Sequence, residues 1–222
     1  MALYDPGKTT SIGNPAYRST KVLQCLYVRE LQVSVAHALP TLRWRHHALG
    51  VLQAYLTESD PEVRVHIWHP ALVRLEKGEG GRIHDHRFTM DSTVLFGAIE
   101  HNECHATEDP KGLWSKYTVI HAREGKPDLP EACEGGFSLH VVTGTIPAGY
   151  TYIFQKGAFH SSRVEGLVVT IVTKHEQEDR RAMLLVPKGF QPRHGMSHGG
   201  GVDIERFVAM AKEALLSGGG VP

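Results

Sequence analysis

The chain has 222 residues, which is enough for one well-packed domain and short for two. Hydrophobic residues make up 41% of the chain and charged residues 22%, as in ordinary globular proteins, so a collagen-like or disordered chain is excluded. Lys plus Arg equals Asp plus Glu at 24 each, so no overall charge attracts nucleic acid or an anionic membrane.

The cysteines and the N-terminal residues indicate the compartment. Cys25, Cys104 and Cys133 form no C-x-x-C motif, so they predict neither a disulfide framework nor a zinc ribbon and fit a reducing environment. The first eighteen residues lack the apolar core of a secretion signal, and no apolar run is long enough to cross a bilayer. We therefore expect a cytoplasmic protein that binds neither membrane nor nucleic acid.

Residues 1–60 are predicted to form an N-terminal arm and a helical region that packs on the rest. Residues 1–19 are rich in Gly, Pro, Ser and Thr and predict an irregular arm. The segment Thr20–Leu39 fits a helix or a strand. From Leu42 to Leu56, leucines recur at helical spacing and the run ends at Asp60-Pro61, so a helix is predicted there.

Residues 61–190 have a different pattern. At least seven short segments, rich in β-branched and aromatic residues, are separated by Gly or Pro turns. This pattern predicts a closed or sandwiched antiparallel barrel. Residues 191–222 are predicted to form a loop and a C-terminal amphipathic helix that stops at Ser217-Gly218. The predicted fold is therefore mainly β, a single domain with a barrel flanked by N-terminal helices and a C-terminal helix.

Two segments carry candidate metal ligands. In Gly80-Gly81-Arg82-Ile83-His84-Asp85-His86, alternate residues of a strand share a face, so His84 and His86 can contact one ion while Asp85 points away. Exposed histidines on a strand would give the same pattern. The second segment runs from Gly149 through an aromatic strand to Gly157 and His160. Neutral imidazole is a ligand for iron, zinc, copper and nickel.

Together the two segments resemble the paired signatures of the cupin superfamily. The first signature is matched by Gly78 or Gly80, His84, His86, Asp91 and Gly97, and the second by Gly149, Gly157 and His160, with Gln155 where the family usually has Pro. The resemblance covers about residues 62–175. It implies a double-stranded β-helix, or jelly-roll barrel, that holds one metal ion through His84, His86 and His160. Fe(II) is the expected metal, with zinc, nickel and manganese as alternatives.

Asp91 separates two kinds of cupin. Many cupins have a Glu at this position as a fourth ligand, whereas the thiol dioxygenases similar to cysteine dioxygenase use three histidines and no carboxylate. The string IHDH, the helical N-terminal region and the chain length resemble the thiol dioxygenases. Asp91 is therefore a candidate fourth metal ligand, a residue that accepts a hydrogen bond from a ligating histidine, or a surface residue, and the sequence leaves all three open.

Further candidates concern the substrate. Enzymes similar to cysteine dioxygenase hold the substrate carboxylate with an Arg from the region of Arg64 and Arg74, although either could be a solvated charge on a strand. His140 is a candidate acid–base residue facing into the barrel, or a buried structural histidine. Tyr150 and Tyr152 are candidates for the substrate pocket, or core aromatics.

The resemblance implies a mononuclear non-haem Fe(II) dioxygenase that oxidises a small organic substrate, first of all a thiol carboxylate, with O₂. Thr170, Val172 and Lys174 occupy the positions where the Ser-His-Tyr relay of that family is expected, which speaks against cysteine itself. The alternatives are a 3-His-1-Asp cupin acting as a carbon–carbon cleaving dioxygenase or isomerase, and a non-enzymatic, metal-dependent cupin that binds a small molecule. The sequence leaves the oligomeric state open, including a homodimer.

Overall fold

The computed structural model describes residues 21–47, 49–73, 83–119, 131–133, 135–190 and 201–218. These residues are mostly β and form a closed barrel, with one α-helix before the strands and one after them along the chain. This architecture confirms the predicted fold class and is consistent with a cupin-like barrel. The helices are α1 (Lys21–Ala38) and α2 (Ile204–Ser217), and the strands are β1 (Arg45–His47), β2 (Val51–Thr57), β3 (Val63–Trp68), β4 (Ile83–His84), β5 (Thr89–Phe96), β6 (Ala98–Glu108), β7 (Trp114–Thr118), β8 (Glu131–Ala132), β9 (Phe137–Pro147), β10 (Thr151–Phe154), β11 (Phe159–Arg163), β12 (Val168–His175) and β13 (Met183–Pro187).

The strands form two antiparallel sheets. The first sheet has the order β1-β2-β3-β12-β5-β10, and the second has the order β13-β4-β11-β6-β9-β7-β8. Strand β13 also pairs with β7, which closes the second sheet on itself. A short 3-10 helix, Leu39–Thr41, connects α1 to β1, and a second one, Pro70–Leu72, follows β3.

The first sheet is buried on both faces around the middle of β5. On β5, Val94 packs in the barrel interior, whereas the next residue, Leu95, packs against the two helices. Helix α1 is anchored to this strand because Gln32 Nε2 donates a hydrogen bond to the carbonyl of Leu95 at 2.6 Å. The Arg29 guanidinium donates to the carbonyls of Leu215 and Leu216 at the end of α2, where a cation also complements the helix dipole.

The helix predicted over Leu42–Leu56 is wrong, because this segment forms β1 and β2. The first four residues of β2 are all buried, since one face lies in the barrel and the other lies under the helices. A strand buried on both faces loses its polar–apolar alternation, and chance leucine spacing then imitates a helix. The barrel therefore begins before residue 61, and the ambiguous segment 20–39 supplies α1, the only α-helix described ahead of the barrel.

The predicted C-terminal helix is confirmed as α2. Its four buried residues are Phe207, Val208, Ala211 and Leu215. Asp203 caps its N-terminus by accepting a hydrogen bond from the Arg206 amide, and Gly218 ends it in the left-handed conformation. Neither described helix combines the length and the apolar character needed to span a membrane.

Candidate metal centre

The structure brings His84, His86 and His160 together. His84 ends β4 and pairs directly with His160 on the neighbouring strand β11, while His86 follows β4 by two residues. The ring centroids lie 4.5 Å apart for His84 and His160, 4.8 Å for His84 and His86, and 4.9 Å for His86 and His160. One nitrogen from each ring lies within 4.8 Å of the others, so three imidazoles can contact a single ion.

The chemistry of these histidines fits a divalent transition metal. Burial, and next the neighbouring His84, hold the pKa of His86 and of His160 well below the usual histidine value, so both rings are neutral at neutral pH. Neutral imidazole is the form that binds metals. Nδ1 of His160 lies 3.2 Å from the carbonyl of Ala158. If this nitrogen carries the proton and donates to the carbonyl, Nε2 is left with its lone pair for an ion.

An ion pair between a buried carboxylate and a partly exposed guanidinium holds the segment that carries His84 and His86. Asp85 is 3% exposed and points away from the two histidines, as the strand alternation predicts. Its carboxylate accepts hydrogen bonds from Arg180 Nη1 at 2.9 Å and from the Met183 amide at 2.7 Å. Arg180 Nη2 also donates to the carbonyl of His86. The guanidinium and the carboxylate therefore position the backbone between the two ligands, a role for Arg180 that no sequence motif indicates.

Asp91 does not join the three histidines. Its neighbours on β5, Met90 and Ser92, line the barrel cavity, so the alternation turns Asp91 to the opposite face. There its Oδ2 lies 3.2 Å from Nε2 of His175. Among the described residues, the group able to hold a metal consists of three histidines and no carboxylate. The assignment of Asp91 as a fourth ligand, and with it the 3-His-1-Asp alternative, is therefore not supported by the geometry.

The three histidines line a cavity of about 590 Å³ between the two sheets. The wall formed by the first sheet carries polar side chains from three strands, Gln53 on β2, Arg64 and His66 on β3, and Lys174 on β12. Burial, with smaller contributions from nearby cationic groups, lowers the pKa of His66 to about 3 and that of His47 to about 4, so both cavity histidines are uncharged at neutral pH.

A charged network lies within this wall. Glu62 forms ion pairs with Arg64 Nε and with Lys174 Nζ, the latter at 2.9 Å. Burial alone would raise the pKa of Glu62, but the hydrogen bonds from Lys174 and Arg64 outweigh burial and lower it. The hydroxyl of Tyr55 accepts a hydrogen bond from Arg64 Nη2 at 3.1 Å. The guanidinium of Arg64 is thus held from two sides at the cavity wall.

Of the other predicted site residues in the described part of the chain, the structure places some at the cavity and others away from it. Tyr152 is buried and lines the cavity, whereas Tyr150 packs beside the barrel core without lining it. Arg74 lies outside the described residues. His140 does not face into the barrel as the acid–base assignment requires: it is exposed on β9 opposite the equally exposed His105, where the end of the sheet is open to solvent.

Sequence reasoning assigned no role in the cavity to His47, Trp68 or Phe88, and took Lys174 only as a residue at a relay position. Strand alternation would have found part of this set, because Trp68 lies two residues beyond His66 and four beyond Arg64 on one strand. Lys174 likewise follows Val172 on the inner face of β12. Strand alternation could not identify His47, because the segment Leu42–Leu56 that contains it was predicted to form a helix and not a strand.

The known proteins that match this chain are similar to it only in structure, and at low identity. No family model matches the sequence, and no curated protein matches it. Among solved structures, DMSP lyase DddQ from Ruegeria pomeroyi DSS-3 is 13% identical with a TM-score of 0.36, covering 85% of this chain and 87% of that one.

Two further solved structures are similar at the same level. A structure from a study of the DMSP lyases RdDddP and RnDddQII is 15% identical with a TM-score of 0.32, covering 86% of each chain. The E. coli protein ycfD is 8% identical with a TM-score of 0.30, covering 75% of this chain and 48% of that one. At these identities and TM-scores, the activities of those proteins do not transfer to this chain.

Proposed function

We propose that this protein is a mononuclear metal-dependent enzyme, a dioxygenase of the cysteine dioxygenase-like kind that uses Fe(II) and O₂ to oxidise a small organic acid. The observation that supports the proposal is the grouping of His84, His86 and His160 on the wall of a closed barrel, with donor atoms within 4.8 Å and no carboxylate in the group. Three neutral ligands leave the full charge of a divalent ion, which favours an anionic, chelating substrate.

Bound Fe(II) would supply open coordination positions for both O₂ and the substrate, with electron transfer between them. In the proposed enzyme, the residues of the chain hold the substrate in position and keep water away from the histidines. Arg64 is suited to hold a substrate carboxylate, because a guanidinium offers two parallel N–H donors and this one is already fixed by Glu62 and Tyr55. Phe154 and Tyr152 pack at the inner end of the cavity, where they exclude water from the histidines.

Metal analysis followed by oxygen uptake tests this proposal. Protein purified without added metal, and then reconstituted anaerobically with Fe(II), is expected to hold about one iron per chain and to consume O₂ when a thiol carboxylate is added. β-Diketones serve as comparison substrates. Reconstituted His160→Ala protein provides the background rate, because it lacks one of the three ligands.

Two outcomes would point elsewhere. Stoichiometric iron without uptake of O₂ in the presence of any thiol or diketone would remove the dioxygenase and favour an isomerase or a non-enzymatic small-molecule-binding protein. A protein that binds no divalent metal at micromolar concentration would remove the metal centre itself.

A further inference from the structure

The cavity has an excess of positive charge. Its described lining includes Arg64, Arg163 and Lys174, and no Asp or Glu. Glu62 contacts both Arg64 and Lys174, but one carboxylate neutralises only one of two cations. The cavity histidines His47 and His66 are neutral and do not change this balance. An anionic group on the ligand would neutralise the excess positive charge.

Lys174 lies close to the metal centre. Its Nζ sits 4.2 Å from the centroid of the Phe88 ring, and the same ring stacks on the imidazole of His86 with centroids 4.9 Å apart. One aromatic ring therefore separates the ammonium from a metal ligand. A single molecule can reach the ion with one group and Lys174 with another.

The volume of the cavity exceeds what a small amino acid would fill. Cavities of about 300–1,000 Å³ enclose ligands of drug size, and this one measures about 590 Å³. A cysteine-sized acid would leave most of that space to water, which would defeat the exclusion of solvent from the metal centre.

One patch of the cavity wall is apolar. Leu49, Val51, Trp68 and Val73 line the cavity on the side of β2 and β3. The indole of Trp68 donates a hydrogen bond to Thr170 Oγ1 at 3.1 Å, which fixes the plane of the ring. A fixed aromatic face and branched aliphatic side chains bind an apolar body and offer it few polar partners.

We infer that the substrate is an amphipathic carboxylate, with its carboxylate bound by Lys174 and Arg64 and an extended apolar or aromatic body packed against Trp68, Leu49 and Val73. This inference rests on the proposed function and names its substrate class. Within the organic acids of the proposed function, it selects those, thiol carboxylates included, whose apolar body is large enough to fill the cavity.

Binding of a homologous series to the protein loaded with redox-inert Zn(II) tests the inference. Straight-chain acids from acetate to decanoate, together with 3-phenylpropionate, are titrated by calorimetry. Affinity is expected to rise about three- to fourfold for each added methylene until the cavity is full. The neutral amide of the best ligand should bind at least tenfold more weakly, because it brings no charge to Lys174 and Arg64.

Variants separate the two ends of the ligand. Lys174→Met should weaken binding of the best acid at least tenfold, leave binding of its amide unchanged and leave the zinc content unchanged. Lys111→Met, which removes an exposed lysine outside the cavity lining, is the matched control. Quenching of tryptophan fluorescence by 3-phenylpropionate should disappear in Trp68→Phe.

An affinity that does not rise with chain length would overturn the apolar subsite, and an unchanged affinity in Lys174→Met would overturn the anion subsite. The zinc content is measured independently in each experiment. Absence of bound zinc would contradict the proposed function, and titration of the metal-free protein with the same acids would still decide the substrate class.

Discussion

Asp91 Oδ2 lies 3.2 Å from Nε2 of His175 on the neighbouring strand, with both side chains about 40% exposed, on the face of β5 that points away from the cavity. Asp91, which follows the H-x-H segment in the sequence, therefore contacts His175 on the outside of the barrel. Its role in this structure is a surface contact with His175.

Replacing Asp91 with Ala should consequently leave metal affinity within twofold of the wild-type value, because no bond to the ion and no hydrogen bond to a ligand is lost. Side-by-side calorimetric titration with Zn(II) checks this expectation. A loss of tenfold or more would return Asp91 to the metal centre and revive the 3-His-1-Asp alternative.

His160→Ala should remove most of the bound metal while the β-rich circular dichroism spectrum persists, because an open catalytic site contributes less to folding than a closed structural one. His140→Ala is the matched control, since it deletes an imidazole of the same size from an exposed position outside the cavity. Metal content by mass spectrometry distinguishes the two. Equal metal loss in both variants would contradict the three-histidine centre.

Arg180→Met should destabilise the fold by about 2–3 kcal/mol, because it leaves the buried carboxylate of Asp85 without its charged partner. It should also weaken metal binding, since the carbonyl of His86 loses its hydrogen-bond donor. The control is Arg181→Met, whose ion pair with Glu131 is exposed and should change stability by less than about 1 kcal/mol. Urea unfolding midpoints measure both variants, and equal destabilisation would argue against the positioning role.

Acidification should destabilise the metal-free protein through His101. Burial lowers the pKa of this histidine from 6.5 to about 4 in the folded state. Between these values the unfolded chain binds the proton and the folded protein does not, so stability is complete above pH 6.5 and falls as the pH approaches 4. The loss attributable to this residue is about 3 kcal/mol at most.

His101→Gln, which cannot take up the proton, should make the unfolding free energy depend less steeply on pH within that window, while His47 and His66, whose pKa values are also lowered, keep part of the dependence. The exposed His105 on the same strand provides His105→Gln as a control. Unfolding by urea at half-unit steps from pH 4.5 to 7.5 gives the slopes. Identical slopes for wild type and His101→Gln would refute the assignment.

The local sequence determined the parts of the site that depend on neighbours along the chain. Strand alternation places His84 and His86 on one side and Asp85 on the other, and a turn at Gly157 precedes His160 by three residues. The β-rich pattern of residues 61–190 was readable because short β-branched and aromatic segments alternate with Gly or Pro turns along the chain. The helix α2 was readable because its amphipathic spacing reflects one buried face.

Tertiary structure alone decided the rest. Alternation cannot be carried from His86 to Asp91, because the chain leaves β4 at His84 and enters β5, in the other sheet, only at Thr89. The strand β2 was hidden because burial on both faces removes alternation. Lys174 meets Glu62 and Arg64 at the metal-facing wall only through the pairing of β12 with β3, strands about 100 residues apart in sequence. Side chains brought together by such long-range register leave no periodic signal in the sequence, since no local repeat connects them.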